Sequence, residues 1–228
     1  MHISEIYASI QGEGEYTGTP SVFVRTTGCN LRCWFCDTPF TSWEPTGTHQ
    51  SVEAVLAEVN QFTEEHVVVT GGEPLLQPEV VTLCEAFENS GRFVTVETAG
   101  TMFRPAPARL MSVSPKLHNS TPSSGRSAYW KRQHEKVRHQ PQVIRQLLGG
   151  YACQFKFVID QPDDVSEVCH YLQEFPEIDH GTVWLMPQAV TQEELSEKSD
   201  WIADAARAAG FRFSSRWQIE QFGNVRGR

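Results

Sequence analysis

Val67-Val68-Val69-Thr70-Gly71-Gly72-Glu73-Pro74 is an uninterrupted β-branched run that stops on a pair of glycines. A continuous apolar run of this kind suits a strand covered on both faces, as in a parallel sheet, rather than an edge strand with alternating polarity. The glycines at its end allow close approach of the backbone to a neighbour. Outward from this stretch, Ser51 can cap a helix in which Val52, Val55, Leu56 and Val59 recur at helical spacing, and Pro78 opens another with Val80, Leu83, Cys84 and Phe87 on one face. Further short β-rich runs follow: Phe93-Val94-Thr95-Val96-Glu97, Leu110-Met111-Ser112-Val113, Phe155-Lys156-Phe157-Val158-Ile159, Val183-Trp184-Leu185-Met186 and Phe211-Arg212-Phe213. Helical patterns separate most of them. Asp163 or Asp164 is expected to cap the helix carrying Val165, Val168, Cys169 and Leu172, and a long helix over 193–209 stops at Gly210. Strands alternating with helices predict right-handed βαβ crossovers and a mainly parallel sheet of about six strands.

Upstream, Pro20-Ser21 introduces Val22-Phe23-Val24-Arg25, which leads into Gly28-Cys29-Asn30-Leu31-Arg32-Cys33-Trp34-Phe35-Cys36-Asp37-Thr38. Three cysteines in Cys-x3-Cys-x2-Cys spacing can aim their sulfurs at one centre. Structural zinc normally takes four protein ligands, and iron–sulfur clusters are usually held by four thiolates. Three ligands on one short loop therefore suggest a cluster with one iron left open. A zinc knuckle recruiting His49, or plain packing of the cysteines, are the alternatives; the polar Asn30, Arg32 and Asp37 argue against packing. The polar motifs fall after successive strands: the cysteines, then Gly71-Gly72-Glu73-Pro74, then Glu97-Thr98, then Ser114-Pro115-Lys116. Such placement gathers them at one mouth, as in an open, partial (β/α) barrel; a doubly wound sheet is the alternative.

A chain of 228 residues can form one domain over 1–228, with a polar loop rich in Ser, Thr, Asn, Pro and Gly near 118–128. The basic stretch 131–138 reads as a solvated helix face, and Cys84, Cys153 and Cys169 as small buried hydrophobes. A net charge of −9 argues against a general nucleic-acid surface or binding to anionic membranes. No apolar run approaches the roughly 20 residues that span a bilayer. The N-terminus carries no basic-then-apolar signal, and cysteine usage fits a reducing compartment, so a cytoplasmic location is expected. The early Gln11-Gly12-Glu13-Gly14 is a glycine-spaced polar loop flanking a carboxylate, and Arg25 is either a strand-end charge or an anchor for a substrate carboxylate.

Cys29-x3-Cys33-x2-Cys36 followed by Thr70-Gly71-Gly72-Glu73-Pro74 resembles the cluster loop and glycine-rich cofactor loop of the radical S-adenosylmethionine (SAM) superfamily. Adding Gln11-Gly12-Glu13-Gly14, Cys36-Asp37-Thr38, Glu97-Thr98, Ser114-Pro115-Lys116 and Leu185-Met186-Pro187, the pattern is similar to the 7-carboxy-7-deazaguanine synthase family over most of the chain. The resemblance implies a carbon–nitrogen lyase that contracts the ring of 6-carboxy-5,6,7,8-tetrahydropterin with loss of ammonia, using a [4Fe–4S] cluster, SAM and Mg2+. It implies that Cys29, Cys33 and Cys36 ligate the cluster. Phe35, Asp37, Gly72, Glu97, Ser114, Pro115, Lys116, Met186, Pro187, Gln188 and Ala189 would border SAM. Ile10, Gln11, Gly12, Glu13, Arg25 and Thr70 would bind the pterin, with Gln11 and Glu13 at its amide and amine edge and Arg25 on its carboxylate. Thr38 would contact Mg2+, a hard cation that prefers oxygen ligands. A homodimer and a reductant such as flavodoxin or ferredoxin are implied as partners. Ala99 and Gln218 depart from the family, which has asparagine and histidine there. A glycyl-radical activating enzyme shares the cluster and Gly-Gly-Glu loops but would not need Gln11-Gly12-Glu13-Gly14; a non-catalytic metal-binding or electron-transfer module would need four protein ligands.

Overall fold

The computed structural model describes residues 1–123 and 128–227. Its strands are β1 (His2–Ile10), β2 (Pro20–Thr26), β3 (Thr48–His49), β4 (His66–Gly71), β5 (Phe93–Thr98), β6 (Leu110–Val113), β7 (Cys153–Ile159), β8 (Val183–Pro187) and β9 (Arg212–Phe213). They form a nine-stranded sheet in the order β3-β1-β2-β4-β5-β6-β7-β8-β9. From β2 onward every neighbouring pair is parallel, whereas β1 is antiparallel to both β2 and β3.

The parallel strands lie side by side in chain order. A doubly wound sheet needs a point where that order reverses, and none occurs among the described residues, so successive crossovers keep stepping the same way and curl the sheet into an unclosed barrel. Val67, Val68 and Val69 are wholly buried, as an uninterrupted β-branched run requires. On the outer side Val67 and Val69 meet helices α2 (Val52–Val59) and α3 (Val80–Asn89), which follow the short α1 (Pro39–Ser42). The later crossovers use α4 (Ala128–Val137), α5 (Pro141–Gly150), α6 (Pro162–Glu174) and α7 (Gln192–Ala209), and α8 (Trp217–Phe222) follows the last strand.

Local signals act largely as expected. Ser51 Oγ accepts from Ala54 N at 3.2 Å, and Gly210 ends α7 with φ +74°. The start of α6 differs. Gln161 is the capping residue, while Asp164 sits inside the first turn and its carboxylate accepts from Asp160 N (2.7 Å) and Gln161 N (2.9 Å). More strands form than the expected six, because β1 and β3 extend the sheet beyond β2. The polar loop near 118–128 is also revised. Residues 124–127 lie outside the described residues, His118–Ser120 make a 3-10 turn with Ser120 buried, and Ala128 begins α4. Cys84 is buried, but Cys153 is only partly so and Cys169 is exposed on α6, contrary to expectation. No helix among the described residues is long and apolar enough to cross a membrane.

Candidate active site

Cys29, Cys33 and Cys36 line one side of a cavity of about 530 Å³ inside the curl of the sheet. Their loop is held from outside. Gly28 N donates to Thr41 O (2.8 Å), Trp34 N to Ser120 O (3.2 Å), and the Trp43 indole N–H to Cys33 O (2.9 Å). His134 of α4 accepts from Arg32 N at 3.1 Å and meets Ser120 Oγ at 2.9 Å. This revises the reading of 131–138 as a solvated face. Lys131, Arg132 and Lys136 are exposed, but His134 is buried against the cysteine loop and burial depresses its pKa to about 4. Burial pushes the thiols of Cys29 and Cys33 up to about 12, and raises that of Cys36. All three thiols are free, so binding a cluster requires each to release its proton as a soft thiolate ligand forms. His49, the candidate fourth zinc ligand, is instead on β3, with its ring against His2 and its Nε2 3.4 Å from the N-terminal amine. It does not line the cavity.

The Gly71-Gly72 turn presses on this loop. A Cβ on Gly72 would lie 2.3 Å from Gly28 O and 2.8 Å from the Cys29 Cβ, so only glycine lets the two backbones meet. Beneath it Glu73 is fully buried, accepting from Thr98 Oγ1 (2.9 Å), Ala99 N (2.9 Å) and Leu75 N (3.1 Å). Burial raises its pKa to about 7, and these hydrogen bonds offset the rise only in part. Lys116 Nζ donates to Ser114 Oγ (2.6 Å) and Ser114 O (2.8 Å), closing the turn after β6.

The lumen is polar. Glu5 on β1 pairs across with Arg25 on β2, Arg25 with Thr70, Glu97 with Ser112, and Ser112 with Gln154. Arg25 Nε donates to Glu5 at 2.7 Å and its Nη2 to the Tyr7 hydroxyl at 2.7 Å. Glu97 accepts from Thr70 Oγ1 (2.8 Å), Lys156 Nζ (3.1 Å) and Gln11 Nε2 (3.4 Å). Lys156 also donates to Glu13 (3.0 Å), which accepts in addition from Arg216 Nε (3.1 Å) and Gln218 Nε2 (2.8 Å). Burial alone would raise the Glu13 pKa, yet the charges of Lys156 and Arg216 outweigh it and hold the carboxyl far below its usual range. The Gln11–Glu13 loop does not enter from the cysteine end. Ile10 pairs with Pro20 at the start of β2, while the cysteines follow Thr26 at its end, so the cavity is lined from both ends of that strand.

Among the residues expected at the site, Ile10, Gln11, Gly12, Glu13, Arg25 and Thr70 line this cavity, as do Phe35, Asp37, Thr38, Gly72, Glu97, Ser114, Lys116, Met186 and Gln188. Pro115, Pro187 and Ala189 do not line it. Pro187 is paired in β8, and Ala189 packs with Leu195 and Ile219. Glu97, expected beside the cofactor, stands among the residues expected to meet the substrate. Sequence reasoning missed Glu5, Tyr7, Ser112, Lys156 and Arg216. Lys156 carried a signal: one charge inside Phe155-Lys156-Phe157-Val158-Ile159 must face either solvent or a polar lumen.

A relative from Rhodopirellula baltica named 7-carboxy-7-deazaguanine synthase is 44% identical over 226 residues, covering 99% of this chain and 88% of the relative. The chain belongs to the 7-carboxy-7-deazaguanine synthase family. Another member, from Halobacterium salinarum, is 42% identical over 229 residues, covering 96% of this chain and 89% of its own. Residues 23–116 match the Radical SAM superfamily, and this match together with the synthase relatives makes the chain a radical SAM enzyme. The crystal structure of QueE from Escherichia coli superposes with a TM-score of 0.70 at 23% identity, covering 95% of this chain and 93% of that one, and shares the fold. The residues present suit the cofactors of the superfamily. Three free soft ligands on one loop line a cavity against a glycine turn whose backbone has no Cβ in the way.

Proposed function

We propose that this chain converts 6-carboxy-5,6,7,8-tetrahydropterin into 7-carboxy-7-deazaguanine with loss of ammonia, a step of deazapurine and queuosine biosynthesis. The observation that carries the reading is that the cysteine loop and the charged lumen line one cavity of about 530 Å³, the scale of a small-molecule site. Cys29, Cys33 and Cys36 would hold a [4Fe–4S] cluster, which when reduced would supply the radical chemistry together with SAM. The chain's own side chains bind, orient and exclude water. Arg25 already engages Glu5 and Tyr7 through Nε and Nη2, which fixes its plane and leaves Nη1 for the pterin carboxylate. Gln11, Glu13 and Thr70, held by the Lys156–Glu97 pair, offer donors and acceptors to the amide and amine edge. Ile10 and Gly12 line the cavity beside them.

On the cofactor side, Phe35, Asp37 and Gly72 border the methionine end. Ser114 and Lys116 serve the ribose or carboxylate, and Met186 and Gln188 the adenine. Glu97 is close enough to Thr70 and Gln11 to serve the substrate as well as a ribose hydroxyl. The Thr38 hydroxyl, beside Thr41 Oγ1 at 3.4 Å, is assigned to Mg2+ together with substrate oxygens. The same reading includes a homodimer, a flavodoxin- or ferredoxin-type reductant, one domain over 1–228 and a cytoplasmic location.

The test is anaerobic reconstitution and assay with the carboxytetrahydropterin. Deazaguanine product with consumption of SAM is expected, and an intact, reducible cluster that cleaves SAM without making product refutes the reading. Thorough chelation is expected to slow turnover and Mg2+ to restore it; equal rates in both conditions exclude the Thr38 assignment.

A further inference from the structure

Five charged side chains from five separate parts of the chain alternate in sign through the cavity wall: Glu97, Lys156, Glu13, Arg216 and Asp37. The contacts are 3.1 Å between Glu97 and Lys156, 3.0 Å between Lys156 and Glu13, and 3.1 Å between Glu13 and Arg216. Arg216 Nη2 then donates to Asp37 Oδ2. The third arm of the guanidinium, Nη1, donates to Ala189 O at 2.7 Å. Lys156 and Arg216 are both buried, 3% and 8% exposed. A buried cation persists only while its partners stay in place, because removing one leaves an uncompensated charge.

The partners of Arg216 belong to different halves of the site. Asp37 and Ala189 are in the segments assigned to SAM, and Glu13 is in the loop assigned to the pterin. The segment that carries Arg216 is itself clasped to that loop. Gly14 N donates to Ser214 Oγ (2.9 Å), Trp217 N to Gly12 O (3.1 Å), and Gln218 Nε2 to Glu13 (2.8 Å). A planar guanidinium holds three acceptors in fixed mutual directions, which a lysine ammonium on a flexible stem does not. Lys156 performs the matching task at the other end of the chain, tying Glu13 to Glu97 and through it to Thr70 and Gln11.

We propose that Arg216 is a positioning residue that, with Lys156, links the cofactor and substrate halves of the cavity, so that each small molecule binds more tightly when the other is present. This rests on the functional reading above for the identity of the two ligands, but the clasp itself does not. A ligand that orders Asp37, and through Gln188 the adjoining Ala189 carbonyl, fixes the guanidinium, and the fixed guanidinium presets Glu13. Linkage requires the effect to be reciprocal.

The test uses the full-length protein with its cluster reconstituted, as wild type, Arg216→Gln, Arg216→Lys and Lys156→Met. Hydrogen exchange without SAM or pterin is followed in peptides covering 11–16 and 214–222. Arg216→Gln is expected to speed exchange there about tenfold or more, the size of a lost local opening barrier of about 1.4 kcal/mol, with the cluster absorbance unchanged. Unchanged exchange overturns the clasp. The pterin Kd is then measured with and without SAM. Wild type is expected to show a ratio within the roughly 5–150-fold range of allosteric couplings, falling to within about twofold of unity in Arg216→Gln and to an intermediate value in Lys156→Met. A ratio of unity in wild type, or a wild-type ratio in Arg216→Gln, overturns the coupling. Should Arg216→Gln not fold, Arg216→Lys carries the comparison: it keeps the charge without the fork and is expected to lose most of the ratio, and retaining all of it overturns the proposal. A wild type that binds no pterin while the Arg216 variant still loosens 11–16 supports the clasp and refutes the substrate assignment instead.

Discussion

Replacing Gly12 by alanine tests how the C-terminal segment seats on the substrate loop. A methyl group there would lie 1.9 Å from Gln218 Oε1, 2.9 Å from Gln218 Cδ and 3.0 Å from the Gln218 backbone N. The side chain can swing away, but only by giving up its 2.8 Å hydrogen bond to Glu13. A hydrogen bond to a charged group contributes about 1.5–3 kcal/mol, taken here as about 2. The backbone N cannot swing, so α8 must shift by a few tenths of an ångström, an overpacking cost at the low end of about 1–3 kcal/mol. Gly12→Ala is therefore expected to destabilise the chain by about 3 kcal/mol. Gln218→Ala alone should cost about 2 kcal/mol, since it loses the bond to Glu13 without a clash. Because the two losses are the same bond, the double variant should cost no more than about 3 kcal/mol rather than the additive sum of about 5. Urea denaturation of the four proteins, with unchanged slopes, gives the cycle. A Gly12→Ala protein as stable as wild type, or strict additivity in the double variant, refutes the packing described for this loop.

Other expectations follow from the same contacts. Lys156→Met should destabilise by about 3–5 kcal/mol by leaving Glu13 and Glu97 short of a shared cation, and adding Glu97→Gln should recover part of that, read by the same denaturation curves. His66 is depressed to about 4 by burial, between Ser21 Oγ (2.9 Å) and Thr95 Oγ1 (2.8 Å). The unfolded chain, with an ordinary histidine near 6.5, takes up that proton first, so this group's contribution is lost as pH falls from about 6.5 to about 4. His66→Gln should show a flatter decline than wild type across that window. Cys33→Ala should abolish iron retention, measured by cluster absorbance and iron content, while the melting temperature of the iron-free chain moves by only a few degrees, because Cys33 packs in a small cluster with Leu31 and Ala99 away from the main core.

The parallel strands were legible because burial on both faces writes itself as short β-branched or aromatic runs, Val67-Val68-Val69 most clearly. The cysteine spacing and the glycine pair were legible for a similar reason: their chemistry is local, carried by neighbours in the chain. β1 is hard to read because Glu5 and Tyr7 face the lumen and a bulge between Ile3 and Glu5 puts the core residues Ile3 and Ile6 out of step with a simple alternation. The buried place of His134 is not legible within its basic run, because charge density says nothing about which single residue a helix turns inward. The entry of the Gln11–Glu13 loop from the opposite end of β2 likewise depends on the antiparallel pairing of β1, which only the assembled sheet reveals.

By itself, then, the sequence determined the crossover pattern, the three cluster thiols, the glycine pair and the family to which they belong, from motifs that are each local in the chain. Tertiary structure alone decided that Glu13 is held by Lys156 and Arg216, across 143 and 203 residues of chain. No local pattern encodes such a pair, because a buried charge is stabilised by whichever opposite charge the fold delivers to it, and that depends on how every intervening strand and helix packs.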